Sequence, residues 1–199
     1  MALDLRALLD PTHTAVITSE VQRGVVGEGS TLPELAKAAE PVLAGIARLV
    51  GAARAASVPV VHCTAARRPD GFGSNRNARL FMAVRGSSLR PDVVSEIGVD
   101  ERDMVLTRYH GLSPMGNTDL DPVLRNAGVT TIVATGVSVN IAVTNLTFDA
   151  VNAGYQVVIP RDAVAGLPAD YVEAVFTNTL SLVATLTTVD DVIAAWGAA

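Results

Sequence analysis

A carboxylate and a guanidinium each stand at the end of a predicted strand in this 199-residue sequence. Glu20 directly follows the β-branched run 14–19, and Arg108 directly follows residues 102–107. A carboxyl group in a partly dry pocket can act as a general acid or base, and a guanidinium can hold a carboxylate through paired hydrogen bonds. Because a guanidinium beside Glu20 favours the carboxylate form, the two residues predict a catalytic pair that suits an anionic substrate. The alternative is a structural ion pair that closes the end of the sheet.

The turn after the fourth predicted strand could supply hydrogen-bond donors to a reacting oxygen. Residues 139–153 have a helical pattern that stops at Gly154. The backbone N–H groups near Ile141 and Ala142, at the start of this helix, could bind an oxyanion. The sequence therefore predicts substrate contacts from this turn, by Ser138, Asn140, Ile141 and Ala142.

Further side chains near the predicted strand ends are expected to contact a substrate: Gln22, His62, Tyr109 and His110. Cys63 beside His62 raises the possibility of a thiol nucleophile. Adjacent residues of a strand point to opposite faces, however, so Cys63 is interpreted as a small buried residue. Phe72, Met115 and Tyr109 could form an apolar pocket wall or equally belong to the core, and Asp162 is expected to cap a turn.

Apolar runs alternate with helical patterns along the chain. The predicted strands span residues 14–19, 58–63, 102–107, 130–135, 155–160 and 184–188, and the predicted helices span residues 33–56, 119–126, 139–153, 168–182 and 190–196. Continuous apolar strands indicate burial on both faces, as in a parallel sheet between two helix layers. The pattern predicts one α/β domain over residues 1–199, a three-layer α/β/α sandwich with a six-stranded, mostly parallel, doubly wound sheet. Ligands bind at the carboxyl ends of such strands.

One region, residues 64–90, breaks the alternation and is rich in arginine. A small helix is predicted inside it, over residues 77–84. The region could be a lid that attracts anionic substrates. It could also be a dimer contact or a solvated charged face.

Composition excludes several classes of function. The formal net charge of −5 and the pI near 5.1 argue against nucleic-acid binding, which requires a basic face. No apolar run approaches the roughly 20 residues of a membrane span, and the first residues do not resemble a signal peptide. Cys63 is the only cysteine, so neither an intrachain disulfide nor a cysteine-based zinc cluster is expected. We expect a cytoplasmic homodimer or larger homo-oligomer that acts on a small molecule.

The segment 136–162 is the most distinctive motif: a strand end, a tight turn, a helix stopped by Gly154, and another strand. It closely resembles the signature segment of the isochorismatase-like hydrolases, a superfamily that includes nicotinamidases and other cysteine amidohydrolases. The resemblance covers most of the chain and is strongest over residues 105–165. It implies the isochorismatase-like fold and hydrolase chemistry. In most of those enzymes a nucleophilic cysteine opens the helix, whereas this chain has Ala142 there.

The same resemblance places Glu20 at the position of a catalytic aspartate and Arg108 at that of a catalytic lysine. Gln22 follows Glu20 as a glutamine follows the family's aspartate, and Thr118 opens a Thr-Asp-Leu segment that matches a family helix start. With Ala142, all three members of the usual triad are changed. Isochorismatases proper have glycine instead of the cysteine and use the aspartate as a general acid on a vinyl ether. Loss of the thiol alone therefore does not imply loss of activity.

Two further features follow from the resemblance. The family often has a cis peptide in the turn after the fourth strand, which would correspond here to the Ser138–Val139 bond. Nicotinamidase-type enzymes carry a metal-binding Asp-x-His after the second strand, where this chain has Thr64-Ala65-Ala66. We therefore expect no catalytic metal, no cofactor and no nicotinamidase activity.

Three functions remain compatible with the sequence. The first is a hydrolase of a small anionic metabolite that works without a cysteine, with Glu20 as acid or base and Arg108 as anchor. The second is a catalytically inactive member of the family that binds a small molecule. The third is an oligomeric scaffold whose pocket is vestigial.

Overall fold

Seven parallel strands form the central sheet within the residues that the computed structural model describes, 4–80 and 89–197. They are β1 (Thr14–Ser19), β2 (Val60–Ala65), β3 (Met104–Arg108), β4 (Thr131–Val137), β5 (Gln156–Pro160), β6 (Val164–Ala165) and β7 (Thr185–Thr187). The strand order is β3-β2-β1-β4-β5-β7, and the two-residue β6 pairs with β4 beside this path. The predicted α/β fold with six parallel strands is confirmed, and β6 is an addition.

Helices cover both faces of the sheet. They are α1 (Leu5–Leu8), α2 (Pro33–Ala55), α3 (Leu120–Asn126), α4 (Thr144–Asn152), α5 (Ala169–Asn178) and α6 (Val189–Ala195). One core cluster joins the sheet to α3, α4 and α5 through residues such as Leu124 and Leu146, and a second joins it to α2 and α6 through Ile46 and Val189. None of the helices in the described parts of the chain is long and apolar enough to span a membrane.

The central strands are buried because each carries apolar or hydroxyl side chains on both faces. All residues of β1 and β4 are buried, which explains why their sequences are continuous apolar runs rather than alternating ones. β3 lies at the edge of the sheet, and its Met104 and Val105 are exposed.

Several predicted boundaries were wrong. β2 begins at Val60 rather than at Val58, because the Val58 N–H donates to the Ala53 carbonyl in the turn after α2. The helix predicted over residues 139–153 begins with one π-helical turn, Val139–Val143, and the helix predicted over residues 168–182 is broken after Asn178. Most of the helix predicted over residues 77–84 lies outside the described residues.

Candidate active site

A cavity of about 400 Å³ opens at the carboxyl edge of the sheet, where β1, β3 and β4 end. Ligand sites in parallel sheets lie at this edge. Eight of the predicted site residues line it, namely Glu20, Arg108, Tyr109, His110, Ser138, Asn140, Ile141 and Ala142. The strand ends therefore bring the predicted catalytic pair and the turn after β4 into one site.

Glu20 and Arg108 form an ion pair at the cavity wall, in which an Nη2–H of Arg108 donates to Oε1 of Glu20. The Arg108 side chain is 7% exposed and that of Glu20 is 19% exposed. Glu20 adopts a left-handed backbone conformation with φ of 55°, which is uncommon for a residue with a side chain. Its N–H donates to the Cys63 carbonyl over 2.8 Å, which ties this turn to the end of β2.

Only one nitrogen atom of the Arg108 guanidinium, Nη2, is hydrogen-bonded to Glu20. Its Nε and Nη1 atoms are buried and have no hydrogen-bond partner within residues 4–80 and 89–197. Buried polar groups are nearly always paired, so unpaired donors beside a cavity indicate a ligand or water position. The oxygens Asn140 Oδ1 and Ser74 Oγ are also buried and unpaired in this part of the chain, and both residues line the same cavity.

The turn after β4 brings Ala142 against the cavity, 3% exposed. The cis peptide of this turn is Val137–Ser138, one residue earlier than the Ser138–Val139 bond inferred from the resemblance. The N–H groups of Ile141 and Val143 both donate to the Ser138 carbonyl over 3.1 Å. In this conformation the Ile141 N–H that was expected to bind an oxyanion is already hydrogen-bonded.

Gly136 allows β1 and β4 to approach closely where the site forms. It has a φ of 99°, and a Cβ added to it would lie 2.2 Å from the carbonyl oxygen of Ser19. The Ser19 hydroxyl donates to the Val137 carbonyl over 3.0 Å. This contact holds the Glu20 turn against the turn that carries Ala142.

Two of the predicted substrate-binding residues, Gln22 and His62, are buried and do not appear among the described residues that line the cavity. The amide of Gln22 donates to the carbonyls of Ala65 and Arg90 and accepts from the Ala65 N–H, each over 2.7 Å. All of these partners are backbone atoms, so Gln22 clamps the end of β2 to the segment near residue 90.

His62 lies inside the protein, because alternation along β2 places it on the same face of the sheet as Val60, which packs against α2. Its Nδ1 is 2.8 Å from the Thr18 hydroxyl oxygen and its Nε2 is 3.2 Å from Asp103 Oδ2. Asp103 also pairs with Arg54 over 2.5 Å. Burial lowers the pKa of His62, and the hydrogen bond to Asp103 opposes this shift.

Cys63 points away from His62, as alternation along a strand requires, and is buried in the core as predicted. Burial raises the pKa of its thiol to about 12. A thiol of this kind is almost never a thiolate at neutral pH, so Cys63 is a poor nucleophile.

The remaining candidate residues lie in the core, at the start of a helix, on the cavity wall or at the surface. Met115 is buried in the core and Phe72 is exposed, so of the three possible wall residues only Tyr109 lines the cavity. Asp162 accepts a hydrogen bond from the Val189 N–H over 2.8 Å and caps α6, which confirms its predicted role. In the arginine-rich region Arg68 pairs with Asp70 at the surface, whereas Arg67 lines the cavity.

Sequence reasoning missed most of the apolar lining, which includes Leu32, Leu35, Leu89, Leu112 and Leu167. These leucines belong to segments far apart in the chain, and no local pattern distinguishes them from core residues. As for metals, no cluster of three or more histidine, cysteine or acidic side chains that could hold an ion occurs in the part of the chain that the structure describes.

Comparisons of the sequence with known proteins find one group of hydrolases. A sequence profile of the Isochorismatase domain matches residues 14–191. Ureidoacrylate amidohydrolase RutB of Methylobacterium radiotolerans is 32% identical over 179 residues, which cover 78% of this chain and 68% of that protein.

Solved structures agree with these matches. A cysteine hydrolase from Pseudomonas syringae superposes with a TM-score of 0.85 at 27% identity, over 99% of both chains. An isochorismatase family protein from Burkholderia thailandensis superposes with a TM-score of 0.79 at 28% identity, over 94% of this chain and 97% of that one.

Proposed function

The chain belongs to the isochorismatase family of hydrolases, and from this membership we propose that it hydrolyses a small anionic metabolite without a cysteine nucleophile. One observation carries the proposal. Glu20 and Arg108 are paired at the wall of the cavity, and Ala142 lies in the turn that faces them. A carboxylate is thus the basic group of the site, and the methyl group of Ala142 leaves room for substrate or water.

In the proposed reaction Glu20 acts as a general base. Its carboxylate takes a proton from a water molecule whose oxygen bonds to the electrophilic carbon of the substrate, and the bond to the leaving group breaks. Glu20 then returns the proton to the leaving group. The ion pair with Arg108 holds this carboxylate at the cavity wall, where it can reach such a water molecule.

Arg108 would hold the anionic group of the substrate. Its Nε and Nη1 donors have no partner among the described residues, while Nη2 remains with Glu20. Charge-assisted hydrogen bonds of a guanidinium to a carboxylate are short and directional, so they would orient the substrate relative to Glu20.

A ligand-binding protein without turnover is the second candidate. It is favoured by the burial of Cys63 and by the alanine at position 142, since neither residue offers a nucleophile at the cavity. Under this proposal the cavity and Arg108 keep their binding role, and Glu20 only balances the charge of Arg108.

The decisive experiment is hydrolysis by the purified protein of vinyl ethers, amides, esters and carbamates. Ureidoacrylate belongs in the panel because it is the substrate named for relatives. Glu20→Gln should lower kcat by at least about 100-fold, as expected for loss of a general base. Cys63→Ala, the matched control, should leave kcat within about twofold of the wild type.

The outcomes separate the two candidates. Activity that survives Glu20→Gln would overturn the proposed mechanism. Absence of turnover on every substrate, together with thermal stabilisation by anionic metabolites that Arg108→Met removes, would favour the ligand-binding function.

A further inference from the structure

The cavity beside Glu20 and Arg108 has a largely apolar wall. Apolar side chains from several parts of the chain form it: Val25 after β1, Leu32 and Leu35 at the start of α2, Leu89 and Leu112 in loop segments, and Ile141 in the turn after β4. Glu20 and Arg108 pair at the ends of β1 and β3, and two more charged side chains, Glu34 and Arg67, also belong to the lining. The site therefore combines a partly buried ion pair with a lining in which apolar side chains predominate.

The volume of the cavity exceeds what an anionic head group needs. A volume of about 400 Å³ lies within the range of roughly 300–1,000 Å³ that is typical of pockets for small organic ligands. A carboxylate and a scissile bond would occupy a small part of it. The rest of the volume is bounded mostly by apolar side chains, which favour an apolar ligand group over water.

The unpaired buried atoms of the lining give the polar pattern that a ligand must match. Arg108 offers two donors and Ser74 Oγ can also donate, whereas Asn140 Oδ1 can only accept. Gly166 leaves the space that Asn140 occupies, because a Cβ at Gly166 would lie 2.8 Å from Asn140 Oδ1. The complementary ligand has an anionic acceptor and a hydrogen-bond donor.

We propose that the substrate is an amphiphilic carboxylate that carries an N–H donor for Asn140 and a hydrocarbon group of roughly six to ten carbons for the apolar wall. The inference rests on the proposed function in that it uses the same cavity and the same anchor, Arg108. It adds the class of substrate and identifies the wall as the specificity-determining surface.

N-acylglycines of increasing acyl length test this inference, because they combine a carboxylate, an amide N–H and an apolar chain. Binding is measured by ligand-observed NMR, which also detects cleavage in the same sample. From acetyl to octanoyl, the Kd should fall about fourfold for each added methylene that is buried. The N-methyl analogue of the octanoyl compound lacks the N–H and should bind at least about fivefold more weakly.

A matched pair of variants shows where the chain binds. Leu35→Gln places an amide in the apolar wall and should abolish most of the gain in affinity with chain length. Leu182→Gln makes the same change at a leucine that is 79% exposed and is not part of the described lining. It should leave the series unchanged. If Leu35→Gln does not fold, the wild-type series decides alone.

The results distinguish this inference from the proposed function. A Kd that does not depend on acyl length, or tightest binding by the shortest polar anion, would overturn the inference even if that anion is hydrolysed. Chain-length-dependent binding without cleavage of any probe would support the inference and count against the hydrolase function.

Discussion

Glu20 reaches the cavity through its own backbone conformation. With φ of 55° it turns the chain directly after β1, and its N–H is satisfied by the Cys63 carbonyl. Strained conformations of this kind persist where the surrounding structure determines them, and they cluster at functional sites. The carboxylate and Arg108 then compensate each other, so that removing either one leaves the other partly buried and unpaired.

The thiol of Cys63 should not react with thiol reagents in the folded protein. Burial excludes reagents and raises the pKa of the thiol to about 12, so the disulfide reagent DTNB should titrate no thiol without denaturant and one thiol in guanidinium chloride. Ser181→Cys, which places a thiol at an exposed position, should titrate one thiol in the folded state. Rapid labelling of the native wild type would show that Cys63 is accessible and would reopen a thiol mechanism.

The turn after β4 is the structural element that shapes the site. Gly136, the cis peptide Val137–Ser138 and the π-helical turn Val139–Val143 follow one another within eight residues. Single π-helical turns occur frequently at functional sites. Here the turn places Ala142 and Asn140 on the cavity while the Ser138 carbonyl accepts two N–H groups.

Gly136→Ala should destabilise the protein far more than a substitution of another glycine with positive φ. Its Cβ would lie 2.2 Å from the Ser19 carbonyl oxygen, a distance that forces β1 and β4 apart. We expect a loss of at least about 3 kcal/mol in the free energy of unfolding, measured by urea denaturation. Gly128, with φ of 73°, has no atom within 4 Å of the added Cβ, and Gly128→Ala should cost only about 1 kcal/mol. Equal losses for both variants would refute the steric argument.

The stability of the whole molecule should depend on pH through His62. Burial lowers its pKa in the folded state below the ordinary value of 6.5. Below about pH 6.5 the unfolded chain therefore binds more protons than the folded chain, and stability falls as the pH decreases. His62 should leave the free energy of unfolding unchanged between about pH 7 and pH 8. As the pH is lowered below about 6.5, the free energy of unfolding should fall by up to about 1.4 kcal/mol per pH unit.

Two variants test whether His62 is the source of this slope. His110→Gln changes an exposed histidine and should keep the slope, whereas His62→Gln should flatten it. If His62→Gln is too unstable, NMR titration of the wild type should find the pKa of His62 below the ordinary histidine value of 6.5. A pKa of His62 at or above that value would contradict the prediction.

The molecule is also expected to form a homodimer or a larger homo-oligomer. Met104 and Val105 are exposed on β3, the edge strand of the sheet, where unpaired backbone groups and apolar side chains invite association. Light scattering coupled to gel filtration should give at least twice the chain mass of 20.6 kDa. Val105→Lys should shift the mass to that of the monomer if β3 forms the contact, whereas a monomeric wild type would exclude a stable dimer.

Local patterns in the sequence are sufficient to predict the sheet, because parallel strands buried on both faces must be continuous apolar runs. It also placed Glu20 and Arg108 at strand ends, and parallel strands bring such ends to one edge. These predictions need only local patterns and one rule of topology. The family membership follows from the same segments, and the changed triad positions are visible in the sequence.

Which polar side chains face the cavity depends on long-range packing and could not be predicted from local patterns. His62 and Gln22 are near strand ends like Glu20, but neither faces the cavity. His62 points into the protein beneath α2, and the amide of Gln22 is hydrogen-bonded to backbone groups. The apolar wall likewise comes from segments far apart in sequence, such as those of Leu35 and Leu112. The path of a loop and the direction of a side chain depend on long-range packing, which a local pattern does not contain.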